Sequence, residues 1–221
     1  MITVHHLADS RSQRVLWLLE ELDLDYEVVR YERDPATYLA PASLKRVHPL
    51  GKSPVITDDE NTVAETGHIV DYIVRRHGQG RLAPAADDSA HERYQYWLHY
   101  AEGSLMPPLL LQLIFNSVET RAPMLAKPVA KAISGQVKKQ FIRPQQKLHF
   151  DYLEDQLADN DWFVGEAFTA ADIMLSFPIE AGAARGVVRD SHPRLKAFIE
   201  RIHGREAYKR ALARGGEYAY A

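Results

Sequence analysis

The chain has 221 residues, 46% of them hydrophobic, with no cysteine and a formal net charge of -3 at pH 7. This length suits one large domain or two small ones. The lack of cysteine excludes disulfides, thiolate metal sites and a redox-active thiol carried by the protein, and the weak charge argues against a nucleic-acid-binding face. No apolar run reaches the roughly 18 residues of a membrane span, and the N-terminal stretch lacks the apolar core of a signal peptide. We therefore expect a soluble, cytoplasmic protein with neither nucleic acid nor membrane as a partner.

Two strands and a helix are predicted at the start of the chain. The stretches ITVHHL at 2–7 and YEVVRY at 26–31 are rich in strand-forming residues. Between them, apolar residues recur at intervals of three and four over 15–22, which is the period of a helix. A strand–helix–strand unit of this kind predicts that the two strands are parallel. Residues 34–46 are expected to form an irregular or short helical connection.

A hairpin and a further helix complete the first part of the chain. The sequences PVIT and TVA flank the turn-forming DDEN, which predicts two short antiparallel strands. A helix is then expected to begin at Thr66 and to stop at Gly78. The order βαβ followed by ββα predicts a small mixed sheet covered by helices, and we assign this first domain to residues 1–79.

The composition changes after this point. Residues 78–90 are rich in Gly, Pro and Asp, which is typical of a linker. Beyond it the patterns are helical, and we predict an all-helical domain over 88–221. The first expected helix covers 90–115 and is broken or kinked at the Pro107–Pro108 pair, and the second covers 129–157. A third helix is expected to begin at Thr169, which would cap it together with Asp172 three residues on. Two short helices are expected at 193–202 and 205–214. The predicted fold class is therefore α+β in the first domain and all-α in the second.

The stretch HPLGKSPVI, at 48–56, places a proline directly before a predicted strand. Proline removes a backbone donor, so this position indicates either a plain loop or a special geometry. A cis bond between Ser53 and Pro54 would supply a sharp turn. It would also direct the backbone N–H and C=O of Val55 toward a cleft, where they can pair with an extended, peptide-like ligand.

Five stretches, taken in order, resemble one known family. They are SRSQRVLWLLEEL, LKRVHPLGKSPVI, AETGHIVDYI, YAEGSLMPPL and TAADIMLSFPI. Together they resemble the cytosolic glutathione S-transferases over essentially the whole chain, and they look most like the fungal-type glutathione transferase I group and its bacterial relatives. The resemblance implies a thioredoxin-like N-terminal domain, an all-helical C-terminal domain, glutathione as co-substrate, a homodimer and a role in detoxification.

Ser10 is the residue predicted to act in catalysis. Such an enzyme must stabilise the glutathione thiolate, because a thiol with a pKa of about 8.5 is only slightly ionised at pH 7. Ser10 resembles the serine of serine-type transferases, and its hydroxyl would lie near a helix N-terminus that favours an anion. The alternative is that Ser10 only caps the helix, and Ser12 is the second candidate donor. No tyrosine lies between Met1 and Tyr26, which excludes a tyrosine donor from this loop.

Seven further residues are expected, from the resemblance, to bind glutathione. They are His48, Lys52, Ser53, Pro54, Val55, Glu65 and Thr66. The Thr66 hydroxyl and free helix N–H groups suit the γ-glutamyl carboxylate, and Glu65 suits the ammonium. Lys52 or His48 would bind the glycyl carboxylate. The plain alternatives are a helix cap for Thr66 and solvated surface for Glu65, Lys52 and His48.

The second substrate is expected between the two domains, along YAEGSLMPPLLLQLIF. The residues predicted to line its pocket are Tyr100, Ser104, Met106, Pro107 and Leu110, although a stripe of this kind is also typical of a helix core. An apolar pocket would suit a small hydrophobic electrophile.

Three functions remain open at this point. The first is addition of the glutathione thiolate to an apolar electrophile. The second is glutathione-dependent reduction of peroxides or disulfides, for which the thiol of glutathione itself suffices. The third is a non-catalytic binding module that keeps the fold. No metal is expected, because His5 and His6 would point to opposite faces of a strand and His91 and His99 have no suitable carboxylate partners.

Overall fold

The structure, a computed structural model, describes residues 1–35, 37 and 39–220. It contains a four-stranded sheet with the strand order β2-β1-β3-β4. The strands are β1 at Ile2–Leu7, β2 at Tyr26–Tyr31, β3 at Val55–Asp58 and β4 at Asn61–Ala64. Strand β1 is parallel to β2 and antiparallel to β3, which forms the expected hairpin with β4. The predicted strands and their directions are therefore confirmed.

Two helices pack on this sheet, α1 at Gln13–Glu21 and α2 at Thr66–His77. A short 3-10 helix at Ala42–Arg46 lies in the connection from β2 to β3. Nearly every residue of α1 is buried. The reason is that α1 contacts helices of the second part of the chain as well as the sheet. Two residues of the predicted irregular connection, Ala36 and Tyr38, lie outside the described residues.

The second part of the chain consists of helices. They are α3 at Ala90–Tyr100, α4 at Met106–Arg121, α5 at Lys127–Val137, α6 at Arg143–Gln156, α7 at Ala170–Ala184, α8 at Pro193–His203 and α9 at Glu206–Gly215. Helix α7 is central, since every residue from Ala170 to Gly182 is buried. Across the part of the chain that the structure describes, no helix is long and apolar enough to cross a membrane.

Two of the expected helices are less regular than the sequence predicts. π-Helical turns at Ala101–Leu105 and Lys138–Ile142 join α3 to α4 and α5 to α6. The break expected at Pro107–Pro108 was therefore wrong in position: the irregular turn precedes the prolines, and α4 continues to Arg121. A proline ring clashes with the carbonyl four residues earlier. That carbonyl falls within the π-helical turn for Pro107 and again for Pro144, so the wider turn makes room for the ring.

Helix α7 begins with the predicted capping box. Thr169 is the N-cap residue, and its backbone N–H donates to Asp172 Oδ2 at 2.8 Å. Asp172 is fully buried and also accepts the Phe163 N–H at 2.9 Å. Burial outweighs these bonds and raises the pKa of Asp172 to about 6. The two residues are structural, as expected.

Candidate functional site

The loop between β1 and α1 carries the two candidate serines. Ser10 Oγ lies 2.7 Å from Ser12 Oγ and accepts the Ser12 backbone N–H at 3.2 Å. Helix α1 begins at Gln13 with Ser12 at its N-cap position, so the interpretation of Ser10 as the N-cap residue does not hold. Ser10 is 7% exposed, whereas Ser12 is fully buried. Of the two serines, Ser10 is the one that borders solvent.

Ser12 points into the protein. Its hydroxyl lies 2.9 Å from Nδ1 of His6 on β1. His6 is also buried, and burial together with the charge of Arg30 lowers its pKa to about 4. The neighbouring His5 bonds to the other side of the strand, which confirms that the two rings face opposite ways. His6, Ser12 and Ser10 therefore form a chain of hydrogen bonds that ends at the surface with Ser10.

Ion pairs next to Ser10 join the two parts of the molecule. Glu102, in the π-helical turn after α3, contacts Arg11 at 3.2 Å with one oxygen and Arg14 with the other. Arg14 is buried, and its Nη1 donates to the Met174 carbonyl at 2.5 Å. Burial opposes ionisation of Glu102, but Arg14 and Arg11 outweigh it and lower the pKa of that carboxyl. Arg14 therefore pairs with an acid of the helical part of the chain, and sequence reasoning missed both Arg11 and Glu102 as members of this cluster.

The turn before β3 has the predicted geometry, with a cis peptide bond between Ser53 and Pro54. Ser53 Oγ donates to the His5 carbonyl at 3.1 Å, which ties the turn to β1. Val55 is buried and has His5 and Ala64 as its partners in the neighbouring strands. The side chain of Ser53 therefore holds the turn in place, and the backbone of this turn is the part that a ligand could contact.

An unusual backbone conformation marks the junction of β4 and α2. Glu65 has φ of 71° and an exposed side chain. A positive φ is uncommon outside glycine, and such residues cluster at functional sites. Glu65 occupies the N-cap position of α2, and Thr66, which is buried, is the first helical residue. The interpretation of Thr66 as the cap is therefore wrong, and both residues lie where free N–H groups favour a carboxylate.

The loop that leads to the cis bond carries His48 and Lys52. Lys52 is exposed and His48 is half-buried, and His48 Nδ1 is buried without a hydrogen-bond partner among the described residues. Gly51, with φ of +55°, lies so close to Lys45 that a Cβ would come within 2.7 Å of Lys45 Cγ. The loop thus packs against Lys45 and leaves the Lys52 ammonium available to a carboxylate.

The five residues predicted for the second pocket differ in exposure. The Tyr100 hydroxyl lies 2.6 Å from a histidine nitrogen of α6, and burial with neighbouring tyrosines raises the pKa of Tyr100. Met106 belongs to the buried core. Ser104 is partly exposed, and Pro107 and Leu110 are exposed on α4. The pocket prediction therefore depends mainly on Pro107 and Leu110, because Tyr100 is engaged within the helical domain.

The C-terminal segment after α9 lies against the same loop as Ser10. The Ala219 N–H donates to Asp9 Oδ1 at 3.0 Å, directly before the candidate serine. The Tyr218 hydroxyl donates to the buried carboxylate of Glu180 at 2.8 Å. Tyr220 packs edge-to-face on a phenylalanine of α7, with 5.4 Å between ring centroids. Sequence reasoning missed this segment, whose only local signal is the pair of tyrosines in EYAY.

The histidines and carboxylates do not gather into a metal site within the described ranges, where no group of three or more is placed to hold an ion. His91, for example, contacts the Pro84 carbonyl through Nδ1 at 3.2 Å. That contact lies at the start of α3, where it holds the helix to the preceding linker.

Two family descriptions match this chain: "Glutathione S-transferase, N-terminal domain" over residues 1–75, and "Glutathione S-transferase, C-terminal domain" over residues 124–206. Glutathione S-transferase 3 of Schizosaccharomyces pombe is 33% identical over 208 residues, which cover 94% of this chain and 85% of that protein. Glutathione S-transferase 1 of Saccharomyces cerevisiae is 31% identical over 217 residues, which cover 94% of this chain and 92% of that protein.

Solved structures are similar along the whole chain. A glutathione S-transferase from Actinobacillus pleuropneumoniae has a TM-score of 0.78 at 32% identity, covering 99% of this chain and 94% of that chain. A sphingomonad glutathione S-transferase complexed with glutathione has a TM-score of 0.75 at 25% identity, covering 97% and 98%. The chain therefore belongs to the glutathione S-transferase family, as a transferase enzyme with a thioredoxin-like N-terminal domain and an all-helical C-terminal domain.

Proposed function

We propose that this enzyme binds glutathione beside the β1–α1 loop and adds its thiolate to a small hydrophobic electrophile, with Ser10 as the catalytic hydrogen-bond donor. The observation that supports this most is the environment of Ser10 Oγ. The hydroxyl and the backbone N–H of Ser12 lie 2.7 and 3.2 Å from this oxygen, and Ser10 itself borders solvent. One hydrogen bond to a charged group contributes about 1.5–3 kcal/mol, or roughly one to two pKa units. That is enough to make the thiolate a major species at neutral pH.

The charges next to Ser10 also favour an anion. Arg11 and Arg14 carry two positive charges beside this loop, and Arg33, which donates to the Ala8 and Asp9 carbonyls, carries a third, against the negative charges of Glu102 and Asp9. Arg14 is buried, where a charge is poorly screened by salt. The excess positive charge beside Ser10 lowers the free energy of a thiolate relative to that of a thiol.

The remaining glutathione contacts follow from the chemistry of its two ends. Glu65 would bind the ammonium and Thr66 the carboxylate of the γ-glutamyl group, at the N-terminus of α2. The backbone of Val55, beside the cis bond, would hold the cysteinyl part. Lys52 or His48 would bind the glycyl carboxylate. The sphingomonad relative solved with bound glutathione supports binding by this fold.

The electrophile would lie between α4 and the C-terminal segment. Pro107 and Leu110 are exposed on α4, and Tyr220 contributes an aromatic ring near the Asp9–Ser10 loop. These walls are apolar, which suits a hydrophobic substrate. Conjugation of such electrophiles is a detoxifying reaction, and we assign it to the cytoplasm, where glutathione keeps thiols reduced.

We also propose a homodimer, formed through the apolar surface of α4 and α5. The exposed apolar side chains there are Leu113, Ile114, Val118, Met124, Leu125, Val129 and Ile133. Leu113, Ile114 and Val118, together with Ser117, Arg121 and Ala122, line a shallow groove of about 530 Å³. A contiguous exposed patch of this kind is typical of a surface that a partner covers. Sedimentation velocity should give twice the 25.1 kDa mass of one chain, and a monomer at micromolar concentration would rule this dimer out.

A second activity, glutathione-dependent disulfide or peroxide reduction, has one observation in its favour. A relative named "Disulfide-bond oxidoreductase YfcG", from Escherichia coli, is 24% identical over 96% of this chain. Because this chain has no cysteine, the thiol of glutathione would be the nucleophile in such a reaction. A parallel screen of electrophiles, peroxides and disulfides distinguishes the two activities by which substrate class is turned over.

Kinetics of a Ser10→Ala variant test the role of Ser10. Turnover should fall roughly ten- to thousandfold, the effect of losing one donor to a developing or resting anion, while the fold is kept. The matched control is Ser134→Ala, which removes a buried hydroxyl that has no hydrogen-bond partner among the described residues. If Ser10→Ala and Ser134→Ala both retain full activity, Ser10 is not the donor.

A further inference from the structure

The hydrogen bonds behind Ser10 form a continuous chain into the protein. His6 Nδ1 lies 2.9 Å from Ser12 Oγ, which lies 2.7 Å from Ser10 Oγ. The Ser12 backbone N–H also donates to Ser10 Oγ, at 3.2 Å. His6 and Ser12 are 3% and 0% exposed, whereas Ser10 is 7% exposed, so Ser10 is the member of this hydrogen-bond chain that is most open to a ligand. We therefore expect an effect of His6 or Ser12 on the glutathione thiolate to pass through Ser10.

The direction of each hydrogen bond follows from counting hydrogens once Ser10 donates to a thiolate. A serine hydroxyl has a single hydrogen. When the Ser10 hydrogen points to sulfur, the 2.7 Å contact between the two serines requires the hydrogen of Ser12. The 2.9 Å contact between Ser12 and His6 then requires a hydrogen on Nδ1. Both lone pairs of Ser10 Oγ are now occupied by Ser12, so the ligand is the remaining acceptor for the Ser10 hydrogen.

We propose that His6 is a positioning residue that acts through Ser12: His6 Nδ1–H donates to Ser12, Ser12 donates to Ser10, and Ser10 donates to the glutathione thiolate, an assignment that rests on the proposed role of Ser10. Hydrogen bonds aligned in one direction polarise one another. The chain therefore makes the Ser10 hydroxyl a stronger donor than an isolated serine and fixes its direction. The other acceptor near Ser12, the Leu7 carbonyl, is farther away at 3.4 Å.

The chain of hydrogen bonds from His6 through Ser12 orients the Ser10 hydroxyl and does not carry the thiol proton to His6. Burial and Arg30 lower the pKa of His6 to about 4, far below the value of about 8.5 for a free thiol. A proton taken from glutathione would therefore not remain on His6. The other groups that act on this ring are Asp9 and the Gly215 backbone. The Gly215 backbone competes with Ser12 for the single ring hydrogen of neutral His6. A bound thiolate favours the tautomer with this hydrogen on Nδ1, because only then do the hydrogen bonds from His6 through Ser12 to Ser10 all point toward the sulfur.

The pKa of enzyme-bound glutathione, followed by its ultraviolet thiolate absorbance, tests the chain. Ser12→Ala and His6→Phe each remove one link, and each should raise this pKa by roughly half to one unit, the effect of one neutral hydrogen bond. His6→Asn should restore most of the difference, because an amide N–H can replace Nδ1–H. His5→Phe is the matched control, since His5 is also buried on β1 but faces Tyr31, and it should leave the thiol pKa unchanged.

The Ser10→Ala variant separates the two ways in which the account can fail. If Ser10→Ala leaves the thiol pKa unchanged, the proposed role of Ser10 is wrong. If Ser10→Ala raises it while Ser12→Ala and His6→Phe behave like His5→Phe, only the role of His6 is wrong. In a Ser10→Ala background, Ser12→Ala should add nothing, because coupled groups are not additive.

Nitrogen NMR of the wild-type enzyme keeps the test independent of how the variants fold. In the complex with glutathione at neutral pH, the ring of His6 should be neutral with its hydrogen on Nδ1. A ring that keeps its hydrogen on the other nitrogen in the complex would overturn the proposal, even if His6→Phe fails to fold.

Discussion

At the scale of the residue, Glu65 combines a left-handed backbone with an exposed carboxylate at the N-terminus of α2. A non-glycine residue held at positive φ costs of the order of 1–3 kcal/mol and persists where the surroundings impose it. Glycine would relieve this cost but would lose the carboxylate. The position is therefore explained by a ligand that needs an acid at that point, which is the ammonium of glutathione in our proposal.

We expect Glu65→Ala to weaken glutathione binding by roughly ten- to hundredfold, because one hydrogen bond between charged groups is lost. A positive φ has a similar conformational free-energy cost for alanine and for glutamate, so the fold should be retained. Titration calorimetry measures the affinity. The control is Glu60→Ala, in the exposed turn between β3 and β4, which should bind like the wild type; an unaltered affinity in Glu65→Ala would remove Glu65 from the site.

At the scale of the element, α7 depends on its capping box. The helix is buried along almost its whole length and contains Pro178 in its interior, so the start of the helix is where its polar backbone groups must be satisfied. Thr169 and Asp172 do this in the buried region next to Phe163. The box therefore supports the helix against which both domains pack.

Thr169→Ala should lower the free energy of unfolding by about 0.5–2 kcal/mol, the usual cost of losing an N-cap. Chemical denaturation measures this change, and glutathione affinity should not change because the side chains of the box bond to each other and to the Phe163 backbone, not to a candidate glutathione-binding residue. Thr120→Ala is the control, since Thr120 is exposed on α4 and donates only to carbonyls of its own helix. Equal stability of the two variants would show that the capping box is not needed.

At the scale of the whole molecule, the Glu102 ion pairs join the two domains beside the site. Removing Glu102 leaves the guanidinium of Arg14 buried at 1% exposure without its carboxylate. Such a loss is costly, because a buried charge without its partner is poorly solvated. The same group links stability to pH, since the pKa of Glu102 is lowered in the folded protein.

Glu102→Ala should therefore lower the free energy of unfolding at pH 7 by about 3 kcal/mol, at the lower end for a broken buried pair because Glu102 is partly exposed. A lowered pKa contributes stability that is present above the unfolded value of 4.5 and is lost as pH falls through the folded value. The difference between wild type and variant should thus shrink on acidification below that value. Chemical denaturation at pH 7 and at a pH below 4.5 measures this difference in the free energy of unfolding. Glu206→Ala, which breaks an ion pair at the surface, is the control and should change the free energy of unfolding little at either pH. A difference between wild type and Glu102→Ala that grows in acid would contradict this account.

Much of the fold follows from local patterns, whereas the site only partly does. Strand composition, helical period and the capping signal at Thr169 are local, and the structure confirms them. The proline before β3 left two interpretations open, a plain loop or a cis bond between Ser53 and Pro54, and the structure has the cis bond. The π-helical turns were missed, because the spacing of apolar residues does not indicate how a proline changes the helical turn before it.

Contacts that depend on distant parts of the chain could not be predicted. Arg14 and Glu102 are 88 residues apart, and Ala219 and Asp9 are 210 apart. No spacing rule links such positions before the fold is known. His6 and Ser12 are closer, but the prediction that His6 faces one side of β1 says nothing about which loop group it meets.

The thiolate absorbance of bound glutathione, titrated with pH in the wild type and in Ser10→Ala, tests the central claim most directly. We expect the bound thiol of the wild type to have a pKa roughly one to two units below the value of about 8.5 for a free thiol, and the variant to return toward that value. A wild-type enzyme that binds glutathione without lowering its pKa would contradict thiolate stabilisation by Ser10.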